Sequence, residues 1–413
     1  MISFLLRRSI YGITVLFGVV TLVFFLFGLV PDPARELAGQ TESEEVIQAI
    51  RVKYNLDLSL GHRYLLFIND VSPLSLYANN TESRRYRSKE EVGGFEVFSG
   101  DDNKLVLKAP YLGRSYLTDR SVSAILKDAF PGTLVLALVA MLFAMIIGIL
   151  LGLWSALNEG TWIDRMILLT ASVGMSGPSF FMAILIAWIG GFLLYDSVSI
   201  SLWIIVLPLL AILVQRMVLK RKIPGLFTGS IVLGTVMWIG GSKVGIPAFG
   251  MILPGTGLPM NGSLYTVDVW KGEQLALKNL ILPALTLGIR PLAVVAQLMR
   301  NSVLEVKRQD FVRTARAKGL SEVRIMSKHI LRNALNPVLT AASGWLASML
   351  AGAVFVEFVF GWKGMGLEVF RSLEKNDLPV VMGAVMVIAV LFVIINTLVD
   401  LVYGWIDPRV RLN

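Results

Sequence analysis

The chain has 413 residues, 55% hydrophobic and 16% charged, with a net charge of +9. Soluble domains carry about 25% charged residues, and here the apolar excess is gathered into runs longer than the roughly 18 residues that suggest a membrane span. With no cysteine and only His62 and His329 as histidines, disulfides, thiol catalysis, cysteine-ligated metals and a histidine-rich metal site are excluded.

In chain order, the first predicted span is 9–30, with Arg7 and Arg8 before it and Pro31-Asp32-Pro33 after it. It is too long for a signal-peptide core and lacks a small-residue cleavage site, so it reads as a retained span. A polar region follows over 31–128. Residues 44–54 predict a helix with Val46, Ile47, Ile50 and Tyr54 near one face, and 63–68 a second short helix. Residues 95–98 and 104–107 predict a β-hairpin, and the charged stretch 84–91 a mobile loop. Such a region suffices for a small α/β insertion, centred on 78–108, but not for an independent enzyme.

Further spans are predicted at 129–158 and at 166–195, the latter interrupted by Gly174, Gly177 and Pro178. Residues 197–215 and 225–242 predict an apolar hairpin around the basic cluster Arg216, Lys220, Arg221 and Lys222. The Gly- and Pro-containing stretch 243–278 reads as a loop, and spans follow at 279–299, 338–358 and 379–403. This gives an all-α polytopic membrane protein with about eight transmembrane helices. Its domains are a first helix (1–30), a polar region (31–128) and a transmembrane domain (129–413). Basic clusters mark the inner loops, so both termini are placed in the cytoplasm and the positive charge needs no nucleic acid. Trp154, Trp162, Trp362 and Trp405 read as interface anchors.

The most strongly charged segment between long apolar runs is 310–337, DFVRTARAKGLSEVRIMSKHILRNALNP. Its pattern predicts helix, tight turn, helix. Residues 311–318 form the first helix, and Gly319 takes the left-handed conformation that ends it, followed by Leu320. Ser321 is a candidate N-cap. The second helix places Val323, Met326, Ile330 and Ala334 on one stripe, and Asn336-Pro337 closes it.

Arg290 falls near mid-depth of the span 279–299, where a charge is costly and faces the bundle interior or a watery cavity. It is a candidate to line a pathway and meet an anionic group; the competing reading is a structural pair with Glu357 or Asp400. Ser172, Ser176 and Ser179 put polar groups in the interrupted span, where they line the pathway or pack between helices. Neither the glycine-rich turn 361–366 nor Gly160-Thr161 has the Lys-Ser/Thr ending of a phosphate cradle.

Arg313-Thr314-Ala315-Arg316-Ala317-Lys318-Gly319-Leu320 resembles the coupling loop of bacterial ABC-importer permeases, in the form found in the B-type subunit of the dipeptide/oligopeptide/nickel family. The general Glu-Ala-Ala, three residues, Gly signature aligns on Arg313, Thr314, Ala315 and Gly319, so its glutamate is absent. Leu6-Arg7-Arg8, Gly113-Arg114-Ser115, the run Ile281-Leu282-Pro283-Ala284-Leu285, the run Ser302 to Val306, the 361–366 turn and Ile406-Asp407-Pro408-Arg409 extend the likeness over 1–75, 109–195 and 279–413. Three features depart from the family pattern: the 78–108 insertion, the 197–242 hairpin and Lys363 where proline is usual.

The resemblance implies a type I ABC-importer permease core of six spans with the hairpin added. It implies a non-enzymatic transport subunit of the bacterial inner membrane, coupled through the loop within 301–337 to a separate ATPase. Partners would be a second homologous permease, two ABC ATPases that bind ATP and Mg, an extracytoplasmic solute-binding protein and lipid. This chain would bind no cofactor itself. The alternatives are an ATP-independent channel or secondary transporter, which leaves a folded basic loop without purpose, and a membrane-embedded enzyme, for which the spans hold too few ionisable groups.

Overall fold

The computed structural model describes residues 2–28, 33–38, 43–196, 198–201, 250–268 and 272–406, together with 207–208, 210, 229–230, 232–233, 235 and 270. The chain is a helical bundle with a small α/β cap at one end and a helical elbow at the other. Among the described residues, four helices are long and apolar enough to cross a membrane: Ile10–Gly28, Val122–Leu157, Lys278–Lys307 and Leu378–Leu398. Two bent helix pairs raise the number to six if each counts as one span. Most of the predicted hairpin 197–242, with its basic cluster, lies outside the described residues. Its first residues, Val198–Ser201, form a strand rather than a helix. The tail from Asp407 and the Pro31-Asp32 step also lie outside them.

Helix α1 (Ile2–Gly28) meets the segment that follows it in its second half, where Thr21 Oγ1 lies 2.8 Å from the Tyr64 hydroxyl. The cap follows. It comprises α2 (Ala34–Leu37), α3 (Glu44–Lys53), α4 (Leu60–Val71), β1 (Leu74–Ala78), α5 (Lys89–Val92), β2 (Phe95–Ser99) and β3 (Asn103–Leu107). The predicted hairpin is there, as β2 and β3, but β3 is the centre of a three-stranded antiparallel sheet of order β1-β3-β2. On α3 Ile47 is buried while Val46 faces out. The stretch 84–91, expected as a mobile loop, is held by ion pairs from Arg84 to Asp57 and from Arg87 to Asp70, and by a capping box at Ser88.

Helix α6 (Val122–Leu157) starts seven residues before its predicted span, because Ser121 caps it by accepting from the Ala124 N–H at 3.2 Å. One face of α6 is a stripe of small buried residues, Ala137, Ala140, Ala144, Gly148, Gly152 and Ala156. Small side chains let two backbones approach closely without a hydrophobic driving force in lipid. Along this stripe lies α9 (Lys278–Lys307), the most extensive helix pair among the described elements.

Between them α7 (Trp162–Ser176) and α8 (Ser179–Trp188) meet at 111°, with Gly177-Pro178 at the break. So the predicted span 166–195 is two helices, closed by a π turn over Ile189–Leu193. The stretch read as loop contributes β5 (Gly250–Leu253), paired with β4 (Val198–Ser201), and the hairpin β6 (Tyr265–Asp268) and β7 (Gly272–Leu275).

The elbow begins with α10 (Asp310–Ala317) and α11 (Glu322–Arg324), then a π turn over Ile325–Ile330 that runs into α12 (Leu331–Gly352). Pro337 does not close this helix: it lies inside α12. After a 58° bend come α13 (Val354–Phe360), α14 (Met365–Glu374), which the sequence did not announce, and α15 (Leu378–Ile406).

Candidate functional site

The elbow is an amphipathic helix seated on the chain's own core. Along α10, Val312 and Ala315 are buried, and Leu320 packs beside them in a cluster with Val303, Val306, Ile325 and Ile330. Gly319 has φ +73°, and the Leu320 N–H reaches the Ala315 carbonyl at 3.3 Å while the Gly319 N–H reaches Arg316 at 2.9 Å. That pair of bonds is a Schellman motif, and a side chain at Gly319 would strain it. Ser321 takes the N-cap backbone geometry, but its side chain makes no capping bond.

The second elbow helix departs from the predicted stripe. Its buried residues are Ile325, Ile330, Ala334 and Val338, and Val323 is 79% exposed. The π turn supplies the reason: its i→i+5 bonding inserts one residue, so the first buried spacing is five rather than four.

The exposed face of α10 presents Arg313, Thr314, Arg316 and Ala317, with Lys318 and Gly319 in the turn. Ala315, expected to meet a partner, instead faces the chain's own core. Arg316 is committed at home, with bonds of 2.7 and 3.2 Å to Glu322, and Arg313 lies 3.7 Å from Asp310. Exposed pairs of this kind exchange readily for others.

Of the pathway candidates, Arg290, Ser172 and Ser176 are exposed on the bundle surface and Ser179 is half-buried. Ser172 and Ser176 donate back to the Leu168 and Ser172 carbonyls at 2.9 and 2.7 Å. Gly174 lies against Ile289, which brings the serine-bearing helix beside the residue preceding Arg290. Glu357 is not a partner of Arg290. It is 0% exposed and accepts from the Thr133 hydroxyl at 2.7 Å and the Leu367 N–H at 3.0 Å. Trp362, read as an interface anchor, is fully buried and donates to the Gly132 carbonyl at 3.0 Å. Trp154 and Trp162 are exposed.

A second buried polar junction escaped the sequence reading. Asp164, which falls in the short stretch between the predicted spans 129–158 and 166–195, is 2% exposed at the start of α7. Arg300 grips it in a fork of 2.7 and 2.8 Å, the Gly160 N–H adds a bond of 2.9 Å, and the Ser155 hydroxyl donates to it as well. The junction ties α6, α7 and α9 together ten residues before the elbow. Its signal was a Thr161-x-x-Asp164 helix start facing an arginine near the end of a span.

No group of three or more metal-ligating side chains occurs among the described residues. The chain matches the family model described as "Binding-protein-dependent transport system inner membrane component" over residues 148–412, and that family's N-terminal model over 1–82. The chain belongs to this family. It is an ABC-importer permease of the dipeptide/oligopeptide type, a transport subunit rather than an enzyme.

Three curated relatives run the length of the permease. The dipeptide transport system permease protein DppB of Alkalihalophilus pseudofirmus is 28% identical, covering 100% of both chains. The di/tripeptide transport system permease protein of Pseudomonas aeruginosa is 32% identical over 100% of this chain and 99% of its own. A probable D,D-dipeptide transport system permease protein of Escherichia coli is 32% identical over 98% and 97%. Among solved structures, a chain of the MetNI methionine ABC transporter aligns with a TM-score of 0.43 at 15% identity, covering 69% of the permease and 97% of that chain.

Proposed function

We propose that the permease forms half of a translocation pathway for short peptides and takes its driving force from a separate ATPase through the 310–337 elbow. One observation carries this reading. The elbow is rigidly seated by Val312, Ala315 and Leu320, yet turns Arg313, Thr314, Ala317 and Lys318 outward. A helix that is fixed behind and basic in front can transmit a push; a slack linker cannot. Closure of an ATPase dimer on ATP would move the elbow and, through the continuous π turn and α12, the spans attached to it. ATP and Mg belong to that partner.

Arg290 supports the pathway half of the reading. A charge at span depth on an exposed bundle face needs water or a second protein beside it. A second, homologous permease would close the pathway over it, and an extracytoplasmic binding protein would deliver cargo at the cap end. The basic loops support an orientation with the elbow and both termini on the cytoplasmic side of a bacterial inner membrane.

Co-purification tests the coupling. Ala317→Trp and Lys318→Glu should release the ATPase while the permease stays folded in the membrane. Full ATP-driven uptake after deletion of residues 313–321 would end the proposal.

A further inference from the structure

The cap carries a half-open cavity of about 340 Å³ between α4, the 111–119 segment and the start of α15. Charges around it are paired almost completely. Asp70 accepts from Arg87 at 3.0 Å and from the Tyr77 hydroxyl at 3.1 Å. Arg114 lies 3.3 Å from Glu91 and 3.5 Å from Asp119, and Lys53 is also 3.5 Å from Asp119. Asp377, below, is taken up by the Ser115 hydroxyl at 2.5 Å and the Tyr116 N–H at 2.9 Å.

Arg63 is the remainder. It lines the same cavity and is half-buried, and among the described residues no carboxylate lies within ion-pair distance of it. Withdrawing a cation from water without a counter-ion is unfavourable, and an arriving anion restores the lost interaction. The charge is felt within the wall. Burial pushes the Tyr116 phenol up and Arg63 offsets part of that rise, leaving it at about 12.

The remaining surface suits a small molecule rather than a flat protein contact. The Tyr54 and Tyr116 rings stand 4.5 Å apart on one side, and Phe24, Phe67 and Met382 supply an apolar floor. The volume falls at the lower end of the roughly 300–1,000 Å³ typical of ligand pockets. An apolar floor, an aromatic wall and one surplus guanidinium together select a short solute bearing a carboxylate.

We infer that this cavity is a binding site for a small carboxylate-bearing solute, with Arg63 as the residue that receives the carboxylate. The site is separate from the elbow and from Arg290, so it stands whether or not the coupling reading does.

Titration calorimetry on the purified full chain in lipid nanodiscs tests it, with alanyl-alanine and its C-terminal amide as probes. The acid should bind saturably at one site and the amide at least about tenfold more weakly, the worth of one charge-assisted hydrogen bond. Arg63→Gln should weaken the acid by the same factor, and Arg63→Lys should recover most of it. Equal melting temperatures for the three proteins would show that the fold is intact. Equal binding of acid and amide, or undiminished binding to Arg63→Gln, overturns the inference. So does an effect of Arg63→Gln seen only in association with a separate solute-binding protein, which would make Arg63 a protein contact.

Discussion

Two tight turns of this chain handle polar groups in opposite ways. At the elbow, apolar residues do the anchoring and the charges face solvent, satisfied by loose pairs such as Arg313 with Asp310. At the turn between α13 and α14, the anchor itself is polar. Glu357, Thr133 and Trp362 are all buried, and the Met365 N–H donates to the Thr133 hydroxyl at 2.8 Å. A Cβ on Gly364 would stand 2.4 Å from Glu357 Oε2, so the glycine is there for close approach. The difference separates two tasks. A surface that must exchange partners keeps its polar groups wet and replaceable, whereas a junction that must hold one geometry buries and satisfies them.

The largest effect should come from breaking the buried turn. Glu357→Ala leaves the Thr133 hydroxyl and the Leu367 N–H without their acceptor. The expected loss is about 2–6 kcal/mol, roughly 1–3 for each buried donor left without an acceptor. It would be read as a large fall in melting temperature of the detergent-solubilised permease. Gly364→Ala should act in the same direction through the clash with the carboxylate. If both variants melt like the parent, the turn is not the lock described here.

Next in size is the Asp164–Arg300 junction, which resembles the turn in chemistry but lies near the elbow. Asp164→Asn keeps the shape and removes the charge, leaving a guanidinium that is only partly wetted. A loss of about 2–3 kcal/mol is expected, smaller than at Glu357 because Arg300 retains some solvent. The difference between parent and variant should persist at high salt, since burial limits screening of the parent's pair. Thermal unfolding at low and high salt measures both.

A pair of variants on α10 sharpens the elbow itself. Ala315→Trp overfills the buried face and should cost about 1–3 kcal/mol. Ala317→Trp, two residues on, should leave the melting temperature unchanged and affect only retention of the ATPase. Loss of stability from both would mean that the exposed face is not free.

The sequence carried the long apolar helices, the β2–β3 hairpin, the first elbow helix and the left-handed Gly319. These depend on local period and on one glycine, which act at short range. It missed what long-range packing decides. The π turn displaced Val323 from the stripe because an i→i+5 turn cannot be read from a 3.6-residue pattern. Pro337 stayed within a helix, which tertiary packing on Val338 and Ala334 can support. Trp362 and Asp164 were assigned to interface and loop, since nothing in the neighbouring residues reveals Gly132 or Arg300 across the bundle. Of the candidate site, the residue types on α10 were legible, but which of them face inward was not: Ala315 and Ala317 differ only by their position around the helix.

The cap offers the smallest effect, and it carries both behaviours at once. Lys108 is buried and donates to the Asp70 and Ser72 carbonyls, the latter at 3.2 Å, like a residue of the locked turn. Yet burial pushes its ammonium down to about 8 from an ordinary 10.5, so it can shed its charge within reach of experiment. Between these two values the unfolded chain holds the proton and the folded cap does not. Folding therefore releases a proton there, and stability should rise as pH rises through that window. The gain should stop near pH 10, where unfolded tyrosines ionise while Tyr116, held up at about 12 by burial, keeps its proton and reverses the trend. Amide exchange of β1 and β3, measured between pH 7.5 and 9.5 and corrected for intrinsic rates, should show protection increasing. Lys108→Met should flatten that slope without removing the sheet. A slope of the opposite sign in the parent would mean that Lys108 keeps its charge when folded, tied to Asp70 strongly enough to outweigh its burial.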